Sequence, residues 1–230
     1  MNAVLPTSVT AVRYEKAGVS GFLQRPPGAQ SGLVLTHGAG ANCDAPLLVA
    51  VASAFANAGV CVLRCDLPFR QARRSGPPHP SKAAADRAGL KAAVDVLRGM
   101  SLGSVYLGGH SYGGRQASML AVEEAPLADA LLLLSYPLHP PDKPSQLRTD
   151  HFPVVRTRTV FIHGISDPFG TISEMETART LIPAQTTLMV IEKASHDLRR
   201  GRFDLGPIVI ALTRQGLPWK LANKCAGLGA

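Results

Sequence analysis

Apolar residues along this chain fall into two alternating kinds of segment. Short runs rich in Val, Leu and Ile are separated by longer stretches in which apolar positions recur every three to four residues. That alternation predicts a mostly parallel sheet with helices on both faces. Strands are expected at Gly18 to Gln24, Leu33 to Thr36, Val60 to Cys65, Val105 to Leu107, Leu131 to Leu134, Thr159 to Ile162 and Thr187 to Ile191. Helices are expected over Pro46 to Ala58 (with Gly59 as its stop), Lys82 to Met100, Tyr112 to Glu123, Ser173 to Leu181 and Leu205 to Gln215. Asp86 and Arg87 interrupt the apolar stripe of the second of these, so its first turns are expected to pack less deeply. The Pro-, Gly- and Arg-rich stretch from Asp66 to Ser81 reads as a loop, and the tail from Gly216 as loosely ordered.

Composition narrows the picture. With 230 residues, 46% hydrophobic and 17% charged, the chain suits one domain spanning 1–230 and is too apolar for intrinsic disorder. The greasiest run, Ala130 to Leu134, is strand-length, so no membrane span is expected. Met1 to Thr7 has neither the basic region nor the apolar core of a targeting signal. Of the four cysteines (Cys43, Cys61, Cys65, Cys225), Cys61 and Cys65 share a strand. Their Cα atoms should stand about 13 Å apart at roughly 3.3 Å per residue, beyond the ~7 Å a disulfide tolerates. Reduced thiols and a cytoplasmic location are the expectation.

Gly109-His110-Ser111-Tyr112-Gly113 is a G-x-S-x-G pentapeptide set between an expected strand and an expected helix. In that setting it is a nucleophile elbow: the turn is so sharp that Ser111 must adopt a strained backbone, and side chains at the glycine positions would collide. The hydroxyl is then held clear of the main chain, at the amino end of a helix. His37-Gly38-Ala39-Gly40 follows the first core strand and suits an oxyanion loop. Backbone N–H groups of Ala39 and Tyr112 are the expected donors to a developing oxyanion, with Gly40 as the nearest alternative to Ala39. A dinucleotide fingerprint would need a glycine at position 43, which is Cys43.

A serine of this kind needs a base and an acid in the chain order Ser, Asp or Glu, His. Asp167 lies just past the strand Thr159 to Ile162, and His196 just past Thr187 to Ile191. His196 would take the Ser111 proton and return it to the leaving group, while Asp167 would fix the imidazole tautomer. Asp197 could replace Asp167 only through an unusual local geometry. The other six histidines sit in the two backbone motifs (His37, His110), at a strand end (His163) or in Pro-rich loops (His79, His139, His151). No metal-ligand spacing and no phosphate-binding loop of the Walker type is present, so no cofactor is expected.

With these motifs in place, the chain resembles the α/β-hydrolase superfamily over most of its length. Within it, the chain more closely resembles small, cap-less predicted hydrolases, similar in outline to dienelactone hydrolase. Thr36 to Ala41, Gly108 to Ala121, Ser135 to Pro141, Leu147 to His151 and Gly164 to Gly170 carry a resemblance to a group with a testis-expressed relative and a subunit of the chromatin non-specific-lethal complex. The resemblance implies an α/β-hydrolase fold without a large cap domain and a serine hydrolase acting through an acyl-enzyme, with small soluble esters or lactones as substrates. Thioester or amide hydrolysis by the same triad is the rival chemistry. A non-catalytic interaction domain is the rival class, since a chromatin subunit shows such domains can serve as scaffolds. Oligomeric state is not readable.

Cap insertions in this fold commonly follow the sixth strand, and here only Tyr136 to Arg158 intervenes, too short and Pro-rich for a helical lid. An open site is expected. The net charge of +8 favours anionic partners. Arg70, Arg73, Arg74, Arg148, Arg199 and Arg200 should rise above the sheet edge, and Arg115 sits in the first turn of the nucleophile helix. Of these, Arg73, Arg74 and Arg115 are the candidates to contact an anionic substrate group, against the alternative of a solvated basic surface. No aromatic-interleaved basic motif suggests nucleic acid.

Overall fold

A computed structural model of the chain describes residues 9–100, 102–198 and 204–213. Its strands are β1 (Val12–Lys16), β2 (Val19–Gln24), β3 (Ser31–Thr36), β4 (Val60–Cys65), β5 (Ser104–His110), β6 (Ala130–Leu134), β7 (Thr159–Gly164) and β8 (Thr186–Ile191). They form one eight-stranded sheet in the order β1-β2-β4-β3-β5-β6-β7-β8, antiparallel at β1, β2 and β4 and parallel from β4 to β8. The strands read as continuous apolar runs are those with parallel neighbours, where both faces are covered.

Helices α1 (Pro46–Asn57) and α6 (Gly206–Thr213) cover one face, and α3 (Ala83–Arg98), α4 (Tyr112–Glu123) and α5 (Ile172–Arg179) the other. Alternation along the strands divides the core between them. Leu33, Leu35, Leu132 and Leu134 pack with Phe55 and Ile208, while Val34, Leu131 and Leu133 pack with Leu90, Leu97, Leu120 and Met175. Gly59, with φ of +87°, ends the α1 connection as its placement requires. Cys43, Cys61 and Cys65 are buried free thiols. Among the described residues no helix is long and apolar enough to cross a membrane, and no His, Cys, Asp and Glu cluster could hold a metal.

Three expectations need correction. The edge strand β1 was not anticipated: it pairs with β2 through a tight Ala17-Gly18 turn with positive φ at both residues, and its mostly exposed residues carry no apolar pattern. The stretch 66–81 is not wholly loop, because Pro68 starts the five-residue helix α2 (Pro68–Ala72). At the start of α3 the correction concerns one residue: Ala83 to Ala85 stay partly or fully exposed, as the interrupted stripe predicts, but Asp86 is fully buried, accepting the Phe69 N–H at 3.0 Å and the Tyr112 hydroxyl at 2.7 Å. Two donors supplied from elsewhere in the chain remove the cost of burying that carboxylate, and Asp86 therefore anchors the helix. The expected helical residues 214 and 215 and the tail from Gly216 lie outside the described residues.

Candidate functional site

The carboxyl ends of β3, β5, β7 and β8 deliver four loops to one edge of the sheet. β5 passes into α4 through Ser111, whose φ of 51° and ψ of −117° are the strained conformation expected of the elbow. Only glycine permits the crossing. A Cβ on Gly109 would lie 2.7 Å from the Gly113 carbonyl carbon, and one on Gly113 would lie 2.5 Å from the main-chain oxygen of His37.

The loops after β7 and β8 are sewn to each other. A Cβ on Gly164 would stand 2.6 Å from both the Ala194 and Ser195 carbonyl oxygens, so its absence lets the second loop descend onto the end of β7. Ser166 N–H then donates to Ala194 at 3.0 Å, and the Ser195 hydroxyl to Ser166 O at 3.2 Å. Asp167 is brought beside His196 as a result. His196 Nδ1 lies 2.9 Å from Asp167 Oδ2 and 3.0 Å from Oδ1, and its Nε2 lies 2.8 Å from Ser111 Oγ. A carboxylate only accepts, so the proton of the neutral imidazole sits on Nδ1 and Nε2 is free to accept from the serine. The structure thus brings together all three side chains singled out from the sequence.

Their supports were not singled out. Phe169 donates its N–H to Asp167 Oδ1 at 2.9 Å and lays its ring 4.2 Å, centroid to centroid, from the His196 imidazole. His163, buried at the end of β7, bonds the Gly170 carbonyl through Nε2 at 2.7 Å and so closes the loop that carries Asp167. Desolvation pushes its pKa down, so it donates as a neutral ring. His37 is likewise depressed by burial, its Nδ1 bonding Gly38 O at 2.8 Å while its Nε2 accepts Leu67 N–H at 3.1 Å.

On the other flank, Gly38, the residue before Ala39, lies so close to the elbow that a Cβ there would be 3.4 Å from Ser111 Cβ. Arg70 governs this loop. Its buried guanidinium donates to Ala39 O and Ala41 O, both at 2.8 Å, and to Arg73 O and Gly76 O. The expectation that Arg70 rises above the sheet edge is corrected: it is buried, and four carbonyls take four of its five N–H donors. The sequence of this stretch hid the burial, since two of the carbonyls that make burying the charge tolerable belong to a distant loop.

Arg73 and Arg74 are exposed, and Arg73 bonds the Pro77 carbonyl. Arg115 is half-buried one turn beyond Ser111, and its buried Nε has no hydrogen-bond partner among the described residues. Arg148 donates to Pro137 O at 3.2 Å; burial and then the Arg115 charge push its pKa down. Arg199 and Arg200 lie outside the described residues. His151 bonds the Ser118 hydroxyl at 2.8 Å, and His79 accepts from Ser81 N–H, so both have local structural partners.

The family model of the Alpha/beta hydrolase domain matches residues 29–204. Among solved structures, a dienelactone hydrolase from Anabaena variabilis aligns with a TM-score of 0.66 at 24% identity, over 89% of this chain and 92% of its own. Est1E from Butyrivibrio proteoclasticus gives 0.67 at 17% identity, over 87% and 95%. An α/β serine hydrolase without a lid from Xanthomonas campestris gives 0.64 at 15% identity over 100% of both chains. At these identities the likeness is one of fold.

Proposed function

The chain belongs to the Alpha/beta hydrolase domain family, and from that membership we propose that it is a serine hydrolase cleaving small ester or lactone substrates through an acyl-enzyme. The observation that carries this reading is the 2.8 Å approach of His196 Nε2 to Ser111 Oγ, with Nδ1 of the same ring on the buried Asp167. An imidazole so held takes the hydroxyl proton as Oγ attacks the carbonyl carbon, a contribution of about 10²- to 10⁴-fold. It then gives that proton to the leaving group, and water repeats the sequence on the acyl-enzyme. Backbone N–H groups of Ala39 and Tyr112 receive the oxyanion, at about 3 kcal/mol for each donor.

Access supports small, soluble substrates. The segment after β6 is short and is held down at both ends: Tyr136 and Phe152 are fully buried, and the Tyr136 hydroxyl donates to Arg148 O at 2.6 Å. Arg115, with an unpartnered Nε beside the elbow helix, supports recognition of an anionic group, and exposed Arg73 and Arg74 would add to the attraction. Carboxylate-bearing esters should then turn over faster than neutral ones, with the advantage shrinking at high salt; equal rates at two salt concentrations would remove the arginines from the account.

The decisive experiment is treatment with a fluorophosphonate followed by intact mass measurement. A single adduct, absent from Ser111→Ala, is expected. Failure of the folded protein to react would leave an interaction domain that keeps the fold and the three side chains without turning over substrate.

A further inference from the structure

His110 stands between Gly109 and Ser111 and takes no part in the proton transfers assigned above. Its Nε2 lies 2.8 Å from the main-chain oxygen of His196, the residue whose own ring meets the serine. A carbonyl accepts only, so the single proton of a neutral His110 must sit on Nε2. Burial pushes its pKa down to about 4, which keeps the ring neutral over the range where a serine hydrolase works. Nδ1 turns the other way, toward Gly38, where a Cβ would come within 3.1 Å of it. The His110 and His196 rings lie 5.2 Å apart, centroid to centroid, but both His196 nitrogens are engaged, by Asp167 and Ser111, so the two rings share no proton.

The carbonyl that His110 reaches lies in the loop that follows β8. Lys193 and Leu198 both have left-handed backbone, with φ of 59° and 55°, so the loop bends sharply at each end. Ala194 is fastened to the loop after β7, and Leu198 N–H returns to Ser195 O at 3.1 Å. Between those points His110 ties the His196 main chain to the elbow. The base and the nucleophile are therefore registered twice, through Oγ to Nε2 and, independently, through the neighbouring residue to the backbone.

We propose that His110 is a positioning residue, whose Nε2–H fixes the main chain of His196 so that the imidazole meets Ser111 at reacting distance. This rests on the hydrolase reading for its kinetic consequence but not for its structural one. The test compares His110→Leu, which fills the space without a donor, with His110→Gln, whose amide N–H can reach the same carbonyl. In the leucine variant the rate of fluorophosphonate labelling and kcat for a nitrophenyl ester should fall about 10- to 100-fold with KM little changed, the penalty of a small misplacement. The glutamine variant should recover most of that loss. Amide exchange of Leu198 should quicken in the leucine variant and return toward the parent rate in the glutamine one.

A leucine variant that labels and exchanges at the parent rate overturns the proposal, as does a glutamine variant no better than leucine. Should the parent protein take no fluorophosphonate, the hydrolase reading fails, and the exchange rates alone then uphold or overturn the anchoring of the loop.

Discussion

Two buried carboxylates stand on opposite flanks of the elbow, and their local bonding is nearly the same. Asp167 accepts one main-chain N–H, from Phe169, and one side-chain donor, from His196; Asp86 accepts one main-chain N–H, from Phe69, and one side-chain donor, from Tyr112. What differs is the partner. The imidazole on Asp167 has a second nitrogen facing Ser111 and can take up that hydroxyl's proton, so charge can come and go beside that carboxylate. The phenol on Asp86 has its pKa raised, first by burial and then by Asp86 itself, so its proton stays in place. One carboxylate supports a proton transfer and the other is a fixed tie. Burial and hydrogen-bond count do not separate the two roles; the partner's second contact, with a serine hydroxyl, does.

The largest effect that follows is on Asp167. Asp167→Asn would present an amide N–H to His196 Nδ1, which forces the proton to Nε2 and leaves no acceptor for the serine hydroxyl. kcat should fall about 10³- to 10⁴-fold with the fold retained by circular dichroism. A fall of less than tenfold would dissolve the contrast between the two acids.

A second effect concerns the neutral imidazoles on both flanks. His110, His163 and His37 all have pKa values lowered by burial, His110 to about 4. The unfolded chain takes up protons on these residues below about pH 6.5, while the folded protein does not until its lower pKa is reached. Their contribution is therefore complete above pH 6.5 and is lost as pH falls toward 4, on the order of 3 kcal/mol for His110 alone. Urea titrations from pH 7 to 4 should show this slope, and His110→Gln should show a shallower one. Parallel slopes would mean His110 is not buried neutral.

Smaller again is the tie itself. Asp86→Asn keeps one acceptor and loses the charge, so stability should drop about 1 to 3 kcal/mol in urea unfolding while kcat changes less than tenfold. A larger loss in kcat than in stability would make Asp86 part of the chemistry.

The difference between the flanks also explains what the sequence could tell. Ser111, Asp167 and His196 each follow an apolar run closely, in an order the fold prescribes, so strand periodicity points at them one by one. Asp86 and Arg70 offer no such pointer. Asp86 looks like a solvated break in a helical stripe because its partners are a phenol 26 positions on and an N–H of the short helix α2. Arg70 looks like an open cation because two of the four carbonyls it binds belong to a loop 29 and 31 positions earlier. A buried polar residue is made tolerable by groups that only the folded topology brings near, and local pattern carries no trace of them. The parallel core was legible because its signal is local. Edge strand β1, with backbone pairing to β2 and almost no burial, was not.

A matched pair of aromatic substitutions makes the finest cut between the flanks. Phe169 lies with its ring 4.2 Å from the His196 imidazole, while Phe69 meets the Tyr112 ring edge-on at 5.8 Å. When His196 takes the serine proton it becomes a cation against an aromatic face, an attraction of about 0.5 to 1 kcal/mol absent from the resting neutral ring. Phe169→Leu removes it, so kcat should fall a few-fold with KM unchanged, and steady-state kinetics on a nitrophenyl ester would read this directly. Phe69→Leu removes a contact with a phenol whose charge does not change during turnover. It should cost about 0.5 to 1.5 kcal/mol of unfolding stability and leave kcat within about twofold. Equal effects on kcat would mean that both rings act only by packing, and that the flanks differ less in function than their acids indicate.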